Sequence, residues 1–150
     1  MTDLVVTDTS CLIALDRIGQ VDILPALFTV HAPPAVVEEF GRRPSWLHVE
    51  RADPDRIGVL LTQVDRGEAE AIALAESYDD VQLLIDERKG RRVARELGLR
   101  VTGTAGVLLA AKAAGLIPAI QPLLDALIHE HEFRLGERHY ERVLREAGEG

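Results

Sequence analysis

The chain reads as an α/β domain: a parallel sheet with helices on both faces and a helical C-terminal tail. Three observations predict this class. Short apolar runs suited to strands alternate with longer segments of helical periodicity, the order that builds parallel sheets through helical crossovers. Leu4-Val5-Val6 and Leu83-Leu84-Ile85 are apolar without alternation, as strands covered on both sides should be. The 150 residues are 47% hydrophobic, enough for one domain with a real core and against disorder.

The elements follow in order. Leu4-Val5-Val6 is the first strand, and Thr9–Ile18 is a helix closed by Gly19. Val21–Leu27 is a second short helix and Phe28-Thr29-Val30-His31 a second strand. Pro33-Pro34 opens a helix, since proline suits a first turn, and Gly41 ends it. The polar stretch from Arg42 to Arg56, broken by Pro44 and Pro54, predicts a loop with one helical turn around Trp46-Leu47. Val59–Val64 predicts a strand or an extended connection, which periodicity cannot separate in so short a run. Glu68–Ser77 is a clear helix, and its alanines at 69, 71, 73 and 75 suggest close packing. Val81–Ile85 is a strand, Arg88–Leu97 a helix stopped by Gly98, and Arg100-Val101-Thr102 a last short strand. Thr104–Ala114 is a helix closed by Gly115. A tail helix follows with Leu123, Leu124, Leu127 and Ile128 as its apolar face, then a charged surface helix near Leu135–Ala147. Residues 1–117 form the expected core, and 118–150 a helical extension of the same domain.

Bulk composition narrows the functions. No apolar run is long enough to span a bilayer, and the start lacks the basic stretch and cleavage site of a signal peptide. The single cysteine, Cys11, excludes an intramolecular disulfide and fits a reducing cytoplasm; its place on an apolar stripe points to packing. A net charge of −8 argues against broad, non-specific nucleic-acid binding, but leaves room for an enzyme with an acidic site and a local basic patch.

The chemistry concentrates at strand and helix ends. Asp8 lies where the first strand feeds a helix, and in open α/β sheets sites form beyond the carboxyl ends of strands. Thr9 or Ser10 can cap that helix, whose free N–H groups favour an anion. Asp86 ends a strand as Asp8 does, with Glu87 directly after it. Glu39, or its neighbour Glu38, lies on the helix after strand two, and Glu68 opens another helix. Such dispersed acids can hold hard divalent cations, which take carboxylates, waters and substrate phosphate as ligands. Each acid also has a plain reading: Asp8 and Asp86 as caps, Glu68 at a helix dipole, Glu38 and Glu39 on a solvated face.

The wording of four segments adds to this. Val6-Thr7-Asp8-Thr9-Ser10-Cys11-Leu12-Ile13, Pro34-Ala-Val-Val-Glu-Glu39-Phe, Gly67-Glu68-Ala-Glu70-Ala-Ile-Ala-Leu-Ala75 and Leu84-Ile-Asp86-Glu87-Arg88 occur in that order. With Arg88-Lys89-Gly90-Arg91-Arg92-Val93-Ala94 and Val101-Thr-Gly-Thr-Ala-Gly106, they make the chain resemble the PIN-domain family, the fold of VapC-type toxin ribonucleases, from about Leu4 to Ile117. The resemblance implies a parallel sheet with helices on both sides and Mg2+- or Mn2+-dependent cleavage of RNA, leaving 5′-phosphate and 3′-hydroxyl ends. It implies that Asp8, Glu39, Glu68 and Asp86 are the four metal-binding acids and that Ser10 is the small hydroxyl residue supporting the site. Glu87 rivals Asp86 and Glu70 rivals Glu68. The third acid of the family is often Asp, and Ile85 stands where a Thr commonly precedes the fourth.

Arg88, Lys89 and Arg91 belong to the densest basic stretch, beside Asp86, and are expected to guide phosphate; the plain reading is a solvated helix face. Thr102-Gly103-Thr104 opens a helix, and Thr104 is a candidate phosphate contact, although without GK[ST] the segment is no P-loop and the plain reading is a tight turn and cap. His129-Glu130-His131 puts its histidines on different sides of a helix, which disfavours a metal site. The leading expectation is a metal-dependent ribonuclease acting on RNA, the toxin of a toxin–antitoxin pair, with a cognate antitoxin and homodimerisation as expected associations. Two alternatives stand beside it: a non-catalytic PIN-like module that binds nucleic acid or protein, and a different α/β domain that binds a nucleotide in the same crevice.

Overall fold

The computed structural model describes residues 3–150. Its strands are β1 (Asp3–Thr7), β2 (Phe28–Ala32), β3 (Leu47–Val49), β4 (Gln82–Leu84) and β5 (Arg100–Thr102). They form one parallel sheet in the order β3-β2-β1-β4-β5. Between β1 and β2 run α1 (Thr9–Arg17) and α2 (Ile23–Leu27), and between β2 and β3 runs α3 (Pro34–Phe40). The long crossover to β4 carries α4 (Pro54–Leu60) and α5 (Arg66–Glu76), and α6 (Arg88–Glu96) leads to β5. Three helices complete the chain: α7 (Thr104–Ala113), α8 (Gln121–Glu130) and α9 (Glu137–Glu146).

This order places a switch point at the centre. From β1 the chain moves outward to β2 and then β3, and later returns across the sheet to lay β4 on the other side of β1. Helices that leave neighbouring strands in opposite directions open a crevice at the strands' carboxyl ends. Thr7 pairs with Leu84 there, and the Asp8 N–H donates to the Leu84 carbonyl at 2.8 Å. Asp8 and Asp86 therefore leave the sheet at adjacent positions, one after β1 and one just beyond β4.

The core explains the sequence pattern. Val5 and Val6 of β1 and Leu83 and Leu84 of β4 are buried, in keeping with central strands covered on both faces. The alanines of α5 are buried where that helix packs on β1 and β4, and small side chains permit the close approach. Cys11 is buried in the same core, and burial pushes its thiol well above the ordinary range. It packs and is not poised as a nucleophile.

Three elements differ from their sequence expectation. The Trp46-Leu47 region is an edge strand, not a helical turn in a loop. Leu47 pairs beside Val30, and the Glu50 N–H continues the ladder to Ala32 at 3.1 Å. Three residues carry too little pattern to predict a strand, and only the exposed edge of β2 decides it. Val59–Val64 is neither strand nor extended connection. Pro54 opens α4, Asp53 caps it through the Asp55 N–H, and Val64 follows a turn. Ile57, Leu60 and Val64 face inward at helical spacing, a period hidden when the apolar run is taken to begin at Val59. The charged α9 is also more than a surface helix, because Val143 and Leu144 are buried and the helix packs on α7.

Candidate active site

Asp8 occupies the N-cap position of α1 and is only 4% exposed. Its Oδ2 accepts the Ser10 hydroxyl at 3.2 Å. Burial raises its pKa to about 6, Thr9 and Ser10 hydrogen bonds oppose the rise, and the charges of Asp65 and Glu39 add to it. Ser10 also links the two strand ends, since its Oγ accepts the Asp86 N–H at 3.4 Å.

The Asp86 carboxylate is held by the start of α7. The Thr104 N–H donates to Oδ1 at 2.7 Å, and the Thr104 hydroxyl donates to Oδ2. Burial raises the Asp86 pKa, while the Thr104 bonds and the Arg91 charge pull it down. Gly103 makes room for this: a Cβ there would lie 2.7 Å from Asp86 Oδ1 and 3.0 Å from Arg91 Nη1. Thr104, expected to touch substrate phosphate, is fully buried with both donors spent on Asp86, so it positions that carboxylate. Arg91 Nη1 donates to the Ile85 carbonyl at 2.8 Å and stands beside Asp86.

A second set of acids converges from α3, α5 and α6. Glu68 and Asp65 form a capping box at the start of α5: Asp65 Oδ1 accepts the Glu68 N–H at 2.9 Å, and Glu68 Oε1 accepts the Asp65 N–H at 3.4 Å. The other carboxyl oxygen, Glu68 Oε2, is buried with no hydrogen-bond partner. Burial drives the Glu68 pKa well above the ordinary carboxylate range, and Asp65, Glu87 and Asp8 push it further. Gly90 permits this placement, since a Cβ there would lie 2.5 Å from Oε2. Glu39 is exposed, but its Oε1 takes the Thr9 hydroxyl of α1 at 2.8 Å and lies over the start of α5, 3.0 Å from where a Cβ on Gly67 would sit. Glu87 caps α6 by accepting the Gly90 N–H at 3.0 Å.

The neighbouring acids of α3 and α5 make different contacts. Glu70 accepts the Ala35 N–H at 3.1 Å and pairs with Arg66, so it serves α3 and its own helix. Glu38 is exposed, and Glu39 of that pair makes the contact with Thr9. Arg88 and Arg91 line a cleft of about 1770 Å³ that begins at Ser10 and Asp86. Lys89 turns instead to a smaller cleft of about 460 Å³ shared with Asp65, Glu68 and Glu87. Among the described residues, no group of three or more His, Cys, Asp or Glu side chains stands ready to hold a metal ion. The acids are gathered but not closed into a cage.

Sequence reasoning passed over Asp65 and took Thr9 only as a candidate cap, whereas Asp8 holds the cap position and the Thr9 hydroxyl goes to Glu39. Asp65 had a usable signal, because Asp-x-x-Glu before an apolar run is a capping-box pattern. Thr9 had none, because its bond to Glu39 joins residues 30 apart in the chain.

The donors suit a hard cation. All are oxygens, one is a buried carboxyl oxygen without a partner, and magnesium needs only one or two carboxylates beside its waters. No helix among the described residues is long and apolar enough to cross a membrane. Searches of curated proteins and of solved structures returned no match to the chain. A family model described as PIN domain matches residues 4–149, nearly the whole length. With the parallel sheet, the flanking helices and the acids at the switch point, this match shows that the chain belongs to the PIN-domain family, whose members are generally nucleases.

Proposed function

We propose that the protein is an endoribonuclease that hydrolyses RNA phosphodiester bonds with Mg2+ or Mn2+. The observation that carries the reading is Glu68 Oε2, a buried carboxyl oxygen with no partner, beside Asp8, Asp65 and Glu87 at the topological switch point. A carboxyl group in that position costs stability unless it is protonated or shares a cation, and the raised pKa values of Asp8 and Glu68 express that cost, first through burial and then through the neighbouring acids.

Asp8, Glu39, Glu68 and Asp86 would hold the metal, with Glu87 as a further donor. When bound, the ion supplies Lewis-acid stabilisation of the phosphodiester and activates the attacking water. The chain's own residues do the rest. Ser10 fixes the Asp8 carboxylate, Thr104 fixes Asp86, and Thr9 holds Glu39. Arg88 and Arg91 face the cleft beside Asp86, where their charges attract the backbone and offset charge developing on the scissile phosphate. Lys89 does the same from the smaller cleft.

In this reading the protein works in the cytoplasm as the toxin of a toxin–antitoxin pair, as a homodimer that a cognate antitoxin restrains. Residues 118–150 extend the core of the same domain. The buried lone cysteine and the family support the location and the role. The test is metal-dependent cleavage of an RNA panel by wild type and Asp8→Asn. Wild type should cleave only with Mg2+ or Mn2+, and folded Asp8→Asn should lose at least about a hundredfold. Equal rates would refute the assignment. Millimolar Mg2+ should raise Tm, by about 2.7 kcal/mol of stability at a hundred times Kd.

One observation favours a second reading, a non-catalytic RNA-binding module: the acids are not assembled into a ready cage. That module would bind RNA without metal-dependent cleavage.

A further inference from the structure

The large cleft that begins at Ser10 and Asp86 has two walls from distant parts of the chain. One wall is α6, with Arg88, Arg91, Arg92 and Arg95, joined by Arg17 of α1. The other comes from the segment after α8 and from α9, with Arg134, His139 and Arg142. Seven arginines thus face one cleft in a chain of net charge −8. Asp86 and Glu87 at one end, and Glu96, Glu132 and Glu146 along it, also reach the lining, and Glu96 pairs with Arg92 at 3.8 Å. Among the described residues, Arg17, Arg88, Arg91, Arg95, Arg134 and Arg142 make no ion pair within 4.0 Å. Arg91 stands beside Asp86 and donates to the Ile85 carbonyl, while the other guanidinium groups without an ion pair repel each other across the cleft until an anion joins them. His139 registers that field: burial lowers its pKa, and the Arg142 and Arg91 charges lower it further, against the pull of Glu146. Arg91 and Arg142 therefore act on one side chain from opposite walls.

The second wall is held in place. Glu132, with φ of 56°, turns the chain out of α8 in the left-handed region that few non-glycine residues adopt. The Phe133 N–H then closes on the Leu127 carbonyl at 2.9 Å. At the far end Glu149 fastens the hairpin to the core. Its Oε2 accepts Lys112 Nζ and the Ile120 N–H, both at 2.8 Å, and its Oε1 accepts the Gln121 N–H at 3.0 Å. A wall anchored at both ends keeps its cationic groups opposed to α6 at little entropic cost on binding.

We propose that the α8–α9 hairpin is the second wall of the substrate channel, with Arg134 and Arg142 gripping the RNA backbone on the side of the cleft facing α6, away from the scissile phosphate at the Asp86 end. This rests on the ribonuclease reading and names the residues outside the acid site that seat its substrate. A strand lying in the cleft has α6 on one side and α9 on the other, so its phosphates are neutralised from both.

The test uses full-length Asp8→Asn protein, to prevent cleavage, and a short fluorescein-labelled oligouridylate titrated at several salt concentrations. Arg134→Ala/Arg142→Ala in that background should bind at least about tenfold more weakly at low salt. The slope of log K against log salt should fall by about 1.4, the loss of two single-strand phosphate contacts. Arg138→Ala/Arg145→Ala removes the same charge from exposed α9 positions that do not line the cleft, and should bind like its parent. All four side chains are exposed and without ion pairs, so both doubles should melt with the parent. An unchanged slope in Arg134→Ala/Arg142→Ala, or an equal loss in the control double, overturns the proposal and leaves the ribonuclease reading standing. Failure of the parent to bind RNA at any salt overturns both.

Discussion

Replacing Asp8 with Asn should make the metal-free protein more stable, not less, and the gain should depend on pH. The Asp8 carboxyl is almost wholly buried, and its pKa is raised from 3.8 to about 6, first by burial and then by Asp65 and Glu39. A folded-state value above the unfolded one means the folded protein binds the proton more tightly. The associated stability is fully present below about pH 4 and is lost as pH rises through about 6. Each tenfold change in proton affinity is about 1.4 kcal/mol, so the loss at neutral pH is about 3 kcal/mol. Asn carries no charge to bury and still offers an oxygen to the Ser10 hydroxyl. In EDTA, Asp8→Asn should match wild type near pH 4 and exceed it by about 2–3 kcal/mol at pH 7.5. For a chain of this length that is about 5–10 °C in Tm. Urea unfolding followed by the fluorescence of Trp46, the chain's single tryptophan, measures it at each pH. A difference between the two proteins that stays constant from pH 4 to 7.5 would refute the reasoning. Saturating Mg2+ should reverse the order, because only wild type recovers the cost by binding the ion.

Further outcomes follow from the same geometry. Gly90→Ala puts a methyl 2.5 Å from Glu68 Oε2 and 2.6 Å from Ile85 Cδ1, which outweighs the usual helical gain of about 0.5–1 kcal/mol. A net loss of about 1–2 kcal/mol is expected by thermal unfolding, and a smaller one in a Glu68→Ala background. Thr104→Val removes a hydrogen bond that lowers the Asp86 pKa, so the acidic limb of the cleavage pH profile should move to higher pH. It should also cost about 1–2 kcal/mol in urea unfolding, and an unmoved limb would deny Thr104 its hold on Asp86. Asp65→Ala breaks the capping box and removes a negative neighbour of Glu68. Stability should fall by about 1 kcal/mol, while the Glu68 carboxyl pKa, read by NMR, should drop toward its ordinary range.

The acids were legible one by one, because a carboxylate just after a buried strand stands out against its apolar run. Asp8 and Asp86 were found this way, and the order of the elements implied a crevice beside them. Local sequence does not record which oxygen meets which hydroxyl. Thr104 read as a phosphate contact because it opens a helix after a glycine, and that pattern carries no sign that Asp86 lies above it. Glu68 and Glu70 differ by two residues in the same wording, and only the packing of α3 on α5 assigns Glu70 to the Ala35 N–H.

The amino-acid order by itself determined the alternation of strand and helix, the two fully buried central strands and the acids at their ends. Those are consequences of hydrophobic period and of capping chemistry, which act within a few residues. The tertiary structure alone decided that Leu47–Val49 joins the sheet as an edge strand, that Glu68 keeps a partnerless oxygen beneath Gly90, and that Arg134 and Arg142 face α6 across one cleft. Each of these brings together groups far apart in the chain. Their energies come from pairing, burial and repulsion between elements, which no local window of residues contains.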